Sequence, residues 1–154
     1  MPASDPPLAF PDPLVTFVRT PAEIDRGRLE QFARTLRQRV ARGKGFACRI
    51  TGDAELRRLN QAFLGHDYAT DVLSFPCQDD DFLGDLAISR QRAAEQARRF
   101  GHDVHQEIEV LMLHGLLHLT GLDHETDDGR MARAEARWRR QLGLPGGLIE
   151  RARA

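Results

Sequence analysis

The sequence predicts one domain in which a four-stranded mixed β-sheet packs with about five α-helices. Three observations lead there. Four short runs rich in β-forming residues are separated by turn residues. Five stretches repeat apolar residues at helical spacing, and several of them begin on capping residues. At 154 residues the chain suffices for one hydrophobic core and is short for two.

Leu14 to Val18 reads as the first strand, and Thr20-Pro21-Ala22-Glu23 as a capping box that opens a helix with proline at its first position. Leu29, Phe32, Leu36 and Val40 follow at helical spacing until Gly43 and Gly45. Phe46 to Ile50 is the second strand. Asp53 begins a shorter helix with Leu56, Leu59 and Phe63 on one side. After a loop from Gly65 to Ala69, Asp71 to Phe75 is a third strand stopped by Pro76. The acidic segment 78–82 reads as a loop and Gly84 to Ser89 as the fourth strand. Ser89 caps a helix carrying Ala93, Ala94, Ala97 and Phe100, ended by Gly101. Asp103 with Gln106 starts the next helix, and Met131, Ala134, Trp138 and Leu142 mark the last. Because strand–helix–strand connections join parallel strands, the first three strands are expected to run parallel and the fourth antiparallel. Their order across the sheet stays open.

Composition bounds the function. Hydrophobic residues at 41% and charged residues at 29% fit a soluble globular protein, and no apolar run approaches the length of a membrane span. The start, MPASDPPLAFPDP, lacks the basic and apolar regions of a secretory signal, so the expected location is cytoplasmic. Its prolines predict a flexible tail over 1–13, with the domain over 14–144 and a second tail over 145–154. Cys48 reads as a small buried apolar residue and Cys77 as a residue near a cleft; no disulfide is expected. Net charge is −1, yet nearly all positive charge is arginine, crowded at Arg34, Arg37, Arg39 and Arg42 and again at Arg130, Arg133, Arg137, Arg139 and Arg140. Arginine suits phosphate through its forked donors, although such runs are usually solvated helix faces.

The chemistry-bearing segment is LHGLLHLTGLDHE, Leu113 to Glu125. His114 and His118 are four apart, hence on one helix face. Gly121 allows the chain to turn back, which brings His124 toward the other two. Three neutral imidazoles about one open position form a catalytic zinc ligand set, while nickel, cobalt or copper would also accept it. The opposing reading is three core histidines, each with its own partner. Each buried ring left without one would cost about 1–3 kcal/mol, and a single shared metal satisfies all three. The spacing matches the extended zinc-peptidase pattern HExxHxxGxxH except that Gly115 replaces the glutamate that acts as general base. Metal binding is therefore expected and proteolysis is not.

Together, TDVLSFP (70–76), LGDLAIS (83–89) and HGLLHLTGLDHE (114–125) make the chain resemble the YbeY-type family of bacterial endoribonucleases, over about Leu14 to Leu142. The resemblance implies an α+β fold with the metal site in a cleft and one zinc (Zn2+) held by His114, His118 and His124. It also implies a single-strand-type endoribonuclease acting in rRNA maturation and ribosome quality control, with rRNA or a ribosomal subunit as partner. Asp123 and Glu107 fall at acidic positions of the family pattern. Asp123 is the candidate catalytic acid that orients a group or accepts a proton, and Glu107, on the same helical stripe as His114, is a candidate partner for a ligand N–H. Thr70, Asp71 and Ser74 border the expected cleft, and Ser74 is a candidate substrate contact. The family pattern LNxxYR reads Leu59-Asn60-Gln61-Ala62-Phe63-Leu64 here, so leucine replaces the arginine expected to contact RNA. Losing such a donor typically costs on the order of 10²–10³ in rate. Arg57 and His66 are the candidate substitutes for substrate binding. Two other readings stay open: a ribosome-associated assembly factor with a mainly structural metal, and a metal hydrolase acting on a small molecule or peptide.

Overall fold

Four strands, β1 (Val15–Phe17), β2 (Gly45–Thr51), β3 (Val72–Pro76) and β4 (Phe82–Ser89), form one sheet in the order β1-β2-β4-β3. The computed structural model describes residues 13–77, 79–122 and 128–145, so most of both expected tails lies outside the described residues. Among the described residues five helices pack with it: α1 (Arg26–Arg39), α2 (Asp53–Leu64), α3 (Arg90–Phe100), α4 (Val104–Leu119) and α5 (Arg130–Leu142).

The sheet is mixed, but the reversed strand is β3 rather than the fourth. β1, β2 and β4 are mutually parallel, and β3 pairs antiparallel with β4 at the sheet edge. Burial explains the inversion. Leu86, Ala87, Ile88 and Ser89 of β4 are buried without alternation, the pattern of a strand covered on both faces. β3 ends on Pro76, which lacks a ladder donor and is tolerated at an edge. The hairpin therefore folds so that β4, not β3, lies against β2.

Cys48, Ile50, Leu86 and Ile88 point to one face and pack with α1 and α4 in the main core. Leu73 and Ala87 point to the other face, where Leu56 of α2 covers them. α4 runs through the middle of the molecule. Every residue from Glu107 to Leu117 is buried, which explains why its apolar pattern has no single stripe. Two of those residues are acids, and each has a partner: Glu107 Oε1 lies 2.6 Å from His102 Nε2, and Glu109 accepts from Arg28 at 3.0 Å.

The caps expected at Ser89 and Asp103 both form; Asp103 and Gln106 make a reciprocal capping box. The first helix departs from expectation. It begins at Arg26, capped by Asp25, whose side chain accepts from the Arg28 N–H. Thr20 instead donates to the Val18 carbonyl, and Pro21–Ile24 form a turn. Phe63 also departs: it is 66% exposed although Leu56 on the same stripe is buried. Beyond Leu59 the buried Asn60 turns to the following loop, donating to the Tyr68 carbonyl, and Phe63 meets the β3 edge, its ring centroid 5.5 Å from that of Phe75.

Candidate functional site

α4 carries His114 and His118 side by side, ring centroids 4.9 Å apart and inclined at 74°. His114 is buried, and its Nδ1 lies 2.6 Å from Oε2 of Glu135, an α5 residue that is 1% exposed. His118 Nδ1 lies 3.1 Å from the Leu122 carbonyl oxygen. A carbonyl can only accept, so Nδ1 of His118 carries the hydrogen; the carboxylate of Glu135 imposes the same tautomer on His114. Both rings thus keep their lone pair on Nε2. A ligand imidazole held by an acceptor at its other nitrogen has this arrangement.

Local sequence produces it. Thr120 Oγ1 donates to the Leu117 carbonyl at 2.7 Å, and Gly121 N–H donates to the His118 carbonyl at 3.0 Å. Gly121 sits at φ 101°, open to glycine and strained for other residues, and this turn swings the Leu122 carbonyl beneath His118. Asp123 and His124, the expected acid and third ligand, lie outside the described residues. Among the described residues no three metal-ligating side chains gather.

Gly115 has a packing reason as well as a chemical consequence. A Cβ there would lie 2.7 Å from Leu86 Cδ2, 3.2 Å from Val72 Cγ2 and 3.3 Å from Ser74 Oγ. Position 115 faces the sheet, so α4 approaches β3 and β4 closely only because this residue has no side chain. Ser74 reinforces the contact by donating from Oγ to the Gly115 carbonyl at 3.2 Å.

The remaining expected residues are placed as follows. Ser74 is brought against α4 at Gly115, the residue after His114. Arg57 forms a forked pair with Asp67, at 2.8 and 3.2 Å, and this guanidinium holds the Asp67 carboxyl below the usual range. The His66 ring lies 5.4 Å from that of Tyr68, and Leu64 is half exposed at the end of α2. Asp71 accepts from the Val72 N–H and from Gln96, so it organises the start of β3. Glu107 sits toward the far end of α4, about 10 Å along its axis from His114, and pairs with His102. The acid that meets His114 is Glu135, which sequence reasoning missed. Its signal was present: it is the only acid in RMARAEARWRRQL and stands four residues after buried Met131.

The family model described as Endoribonuclease YbeY matches residues 18–143. A Solibacter usitatus protein named Endoribonuclease YbeY is 61% identical over 140 residues, covering 91% of this chain and 95% of its own. A Koribacter versatilis protein of the same name is 50% identical over 102 residues, covering 66% and 67%. The solution structure of a Thermotoga maritima protein superposes with a TM-score of 0.56 at 28% identity, over 80% of this chain and 85% of that one.

Proposed function

The chain belongs to the endoribonuclease YbeY family, and on that premise we propose that it is a metal-dependent endoribonuclease that hydrolyses phosphodiesters of rRNA precursors in ribosome maturation and quality control. Its place is the cytoplasm, with ribosomal subunits as partners; among the described residues no helix is long and apolar enough to cross a membrane. The observation that carries the metal reading is the pair of Nδ1 contacts, His114 to Glu135 and His118 to Leu122, which give both rings the tautomer that a ligand imidazole bound through Nε2 would need.

His114, His118 and His124 would hold one zinc ion. Bound there, zinc supplies a Lewis acid for a phosphoryl oxygen. The rest falls to the chain. Glu135 holds the His114 ring and strengthens its Nε2 as a donor. The Leu122 carbonyl does the same for His118. Burial of His114 and Glu135 keeps bulk water from their contact. Asp123 is assigned to accept or orient the proton displaced in hydrolysis, and Ser74 to border the bound strand.

The test is cleavage of structured rRNA by purified protein with and without chelator, beside His114→Ala. We expect cleavage to vanish in both arms; unchanged cleavage in either overturns the proposal. A half-exposed leucine at position 64, where the family pattern has arginine, favours a second reading, an assembly factor with a mainly structural metal. Co-sedimentation with ribosomal subunits, together with no cleavage by metal-loaded protein, selects it.

A further inference from the structure

The two arginine-rich segments, about 100 residues apart in sequence, converge on one groove. A hollow of about 490 Å³ opens between the end of α1, the start of β4, the turn after α4 and one face of α5. Arg39, Arg42 and Lys44 reach it from the first segment, and Arg137 and Trp138 from the second. All four cations are exposed, and among the described residues no acid lines the hollow. Among the described residues none of the four is ion-paired with a carboxylate. Arg39 extends over the Trp138 ring at 5.7 Å and donates to Gln141 at 3.3 Å, which holds its guanidinium in place.

We propose that this groove binds the phosphate backbone of single-stranded RNA and carries the strand to the histidine site. The inference rests on the endoribonuclease reading above. Four like charges held together repel one another and are retained where a polyanion offsets them. Exposed guanidinium and ammonium groups along an open groove suit the phosphates of a strand, and contacts to phosphate are indifferent to sequence. Location fits as well. Leu122 lines the groove and accepts from His118, while on α5 Ala134 and Arg137 face the groove and Glu135 faces His114. One helix and one turn therefore separate the cations from the histidines.

The experiment is fluorescence anisotropy of a labelled single-stranded ribooligonucleotide against the full chain, with chelator present so that nothing is cut, across a range of salt. For single strands each phosphate neutralised contributes about −0.7 to the slope of log K against log salt, or about 5-fold in affinity at 0.1 M. Lys44→Gln with Arg137→Gln is expected to make the slope shallower by about 1.4 and to weaken binding about 25-fold at 0.1 M, with equal loss on different sequences. Arg98→Gln, an exposed cation on α3, should leave the slope near that of the parent. A slope unchanged in the groove variant, or an equal loss in Arg98→Gln, overturns the inference, as does a parent chain that binds no RNA. Loss of binding to phosphatidylglycerol vesicles with RNA binding intact assigns the groove to a lipid surface instead and also overturns it. Because affinity is read without turnover, RNA binding lost in the groove variant supports the groove even if the parent chain proves unable to cut.

Discussion

Gly115→Ala tests whether the close approach of α4 to the sheet sets the position of His114. The added Cβ meets Leu86 Cδ2 at 2.7 Å, which something must yield to, and the stiff Val72 Cγ2 at 3.2 Å. Overpacking of this kind costs about 1–3 kcal/mol. Alanine in a helix interior recovers about 1 kcal/mol relative to glycine, so the net loss is about 0–2 kcal/mol. Thermal unfolding would then fall by up to about 8 °C for a domain of this size. A double-mutant cycle removes the ambiguity of that small sum. Leu86→Val deletes the Cδ2 atom, so Gly115→Ala made in the Leu86→Val background should cost about 1 kcal/mol less, or become stabilising. Urea denaturation with unchanged m values reads each corner of the cycle. Equal cost in both backgrounds would refute the steric argument.

Three further outcomes follow from single contacts. Glu135→Gln, which keeps the shape but loses the carboxylate on His114 Nδ1, should weaken zinc binding about 10–100-fold in competition with a chromophoric chelator; parental affinity removes Glu135 from the metal reading. Native protein treated with iodoacetamide should label at exposed Cys77 and not at Cys48, whose thiol burial pushes far up in pKa; peptide mapping of modified Cys48 would count against that environment. Partial desolvation raises the carboxyl of Asp85, an otherwise exposed side chain, above its ordinary value, so folding favours its protonated form. The stability this contributes is present below the unfolded pKa of about 3.9 and is lost as pH rises through the folded value. Asp85→Asn should therefore melt slightly above the parent at pH 7, with the difference gone near pH 3, and an advantage that grows in acid contradicts the sign.

How much was legible in the sequence varied with the range of the interaction. Elements set by local chemistry were readable: the caps at Ser89 and Asp103, the glycine turn at 121 and the stripe of α1 depend on residues within one or two turns. The direction of β3 was not, because it depends on which hairpin strand meets β2, and that was decided by burial of β4 on both faces. The start of α1 went to Asp25 rather than Thr20 for a tertiary reason: the Asp25 N–H donates to His105 of α4, 80 residues away. At the candidate site the helical pair His114 and His118 was legible from spacing alone. Glu135 and the convergence of Arg39, Arg42, Lys44 and Arg137 were not, since each requires α5 to be laid against elements distant in sequence.

The position of Glu135 also constrains where a proton acceptor can stand. In the peptidase pattern the acid follows the first histidine directly, but here that position is packed into the sheet, against Leu86, Val72 and Ser74. An acid has entered the site from α5 instead, and it meets Nδ1 of His114. The two nitrogens of an imidazole point to opposite sides of the ring, so a carboxylate bonded to Nδ1 lies away from whatever Nε2 binds. Glu135 can hold the ring; it cannot reach a proton on the Nε2 side without breaking the 2.6 Å contact with His114. Glu107 is ruled out by its own partner, His102, toward the far end of α4. Holding the ligand and moving a proton would thus be separate tasks for separate residues, which is why the proposal assigns the second to Asp123 rather than to Glu135 or Glu107.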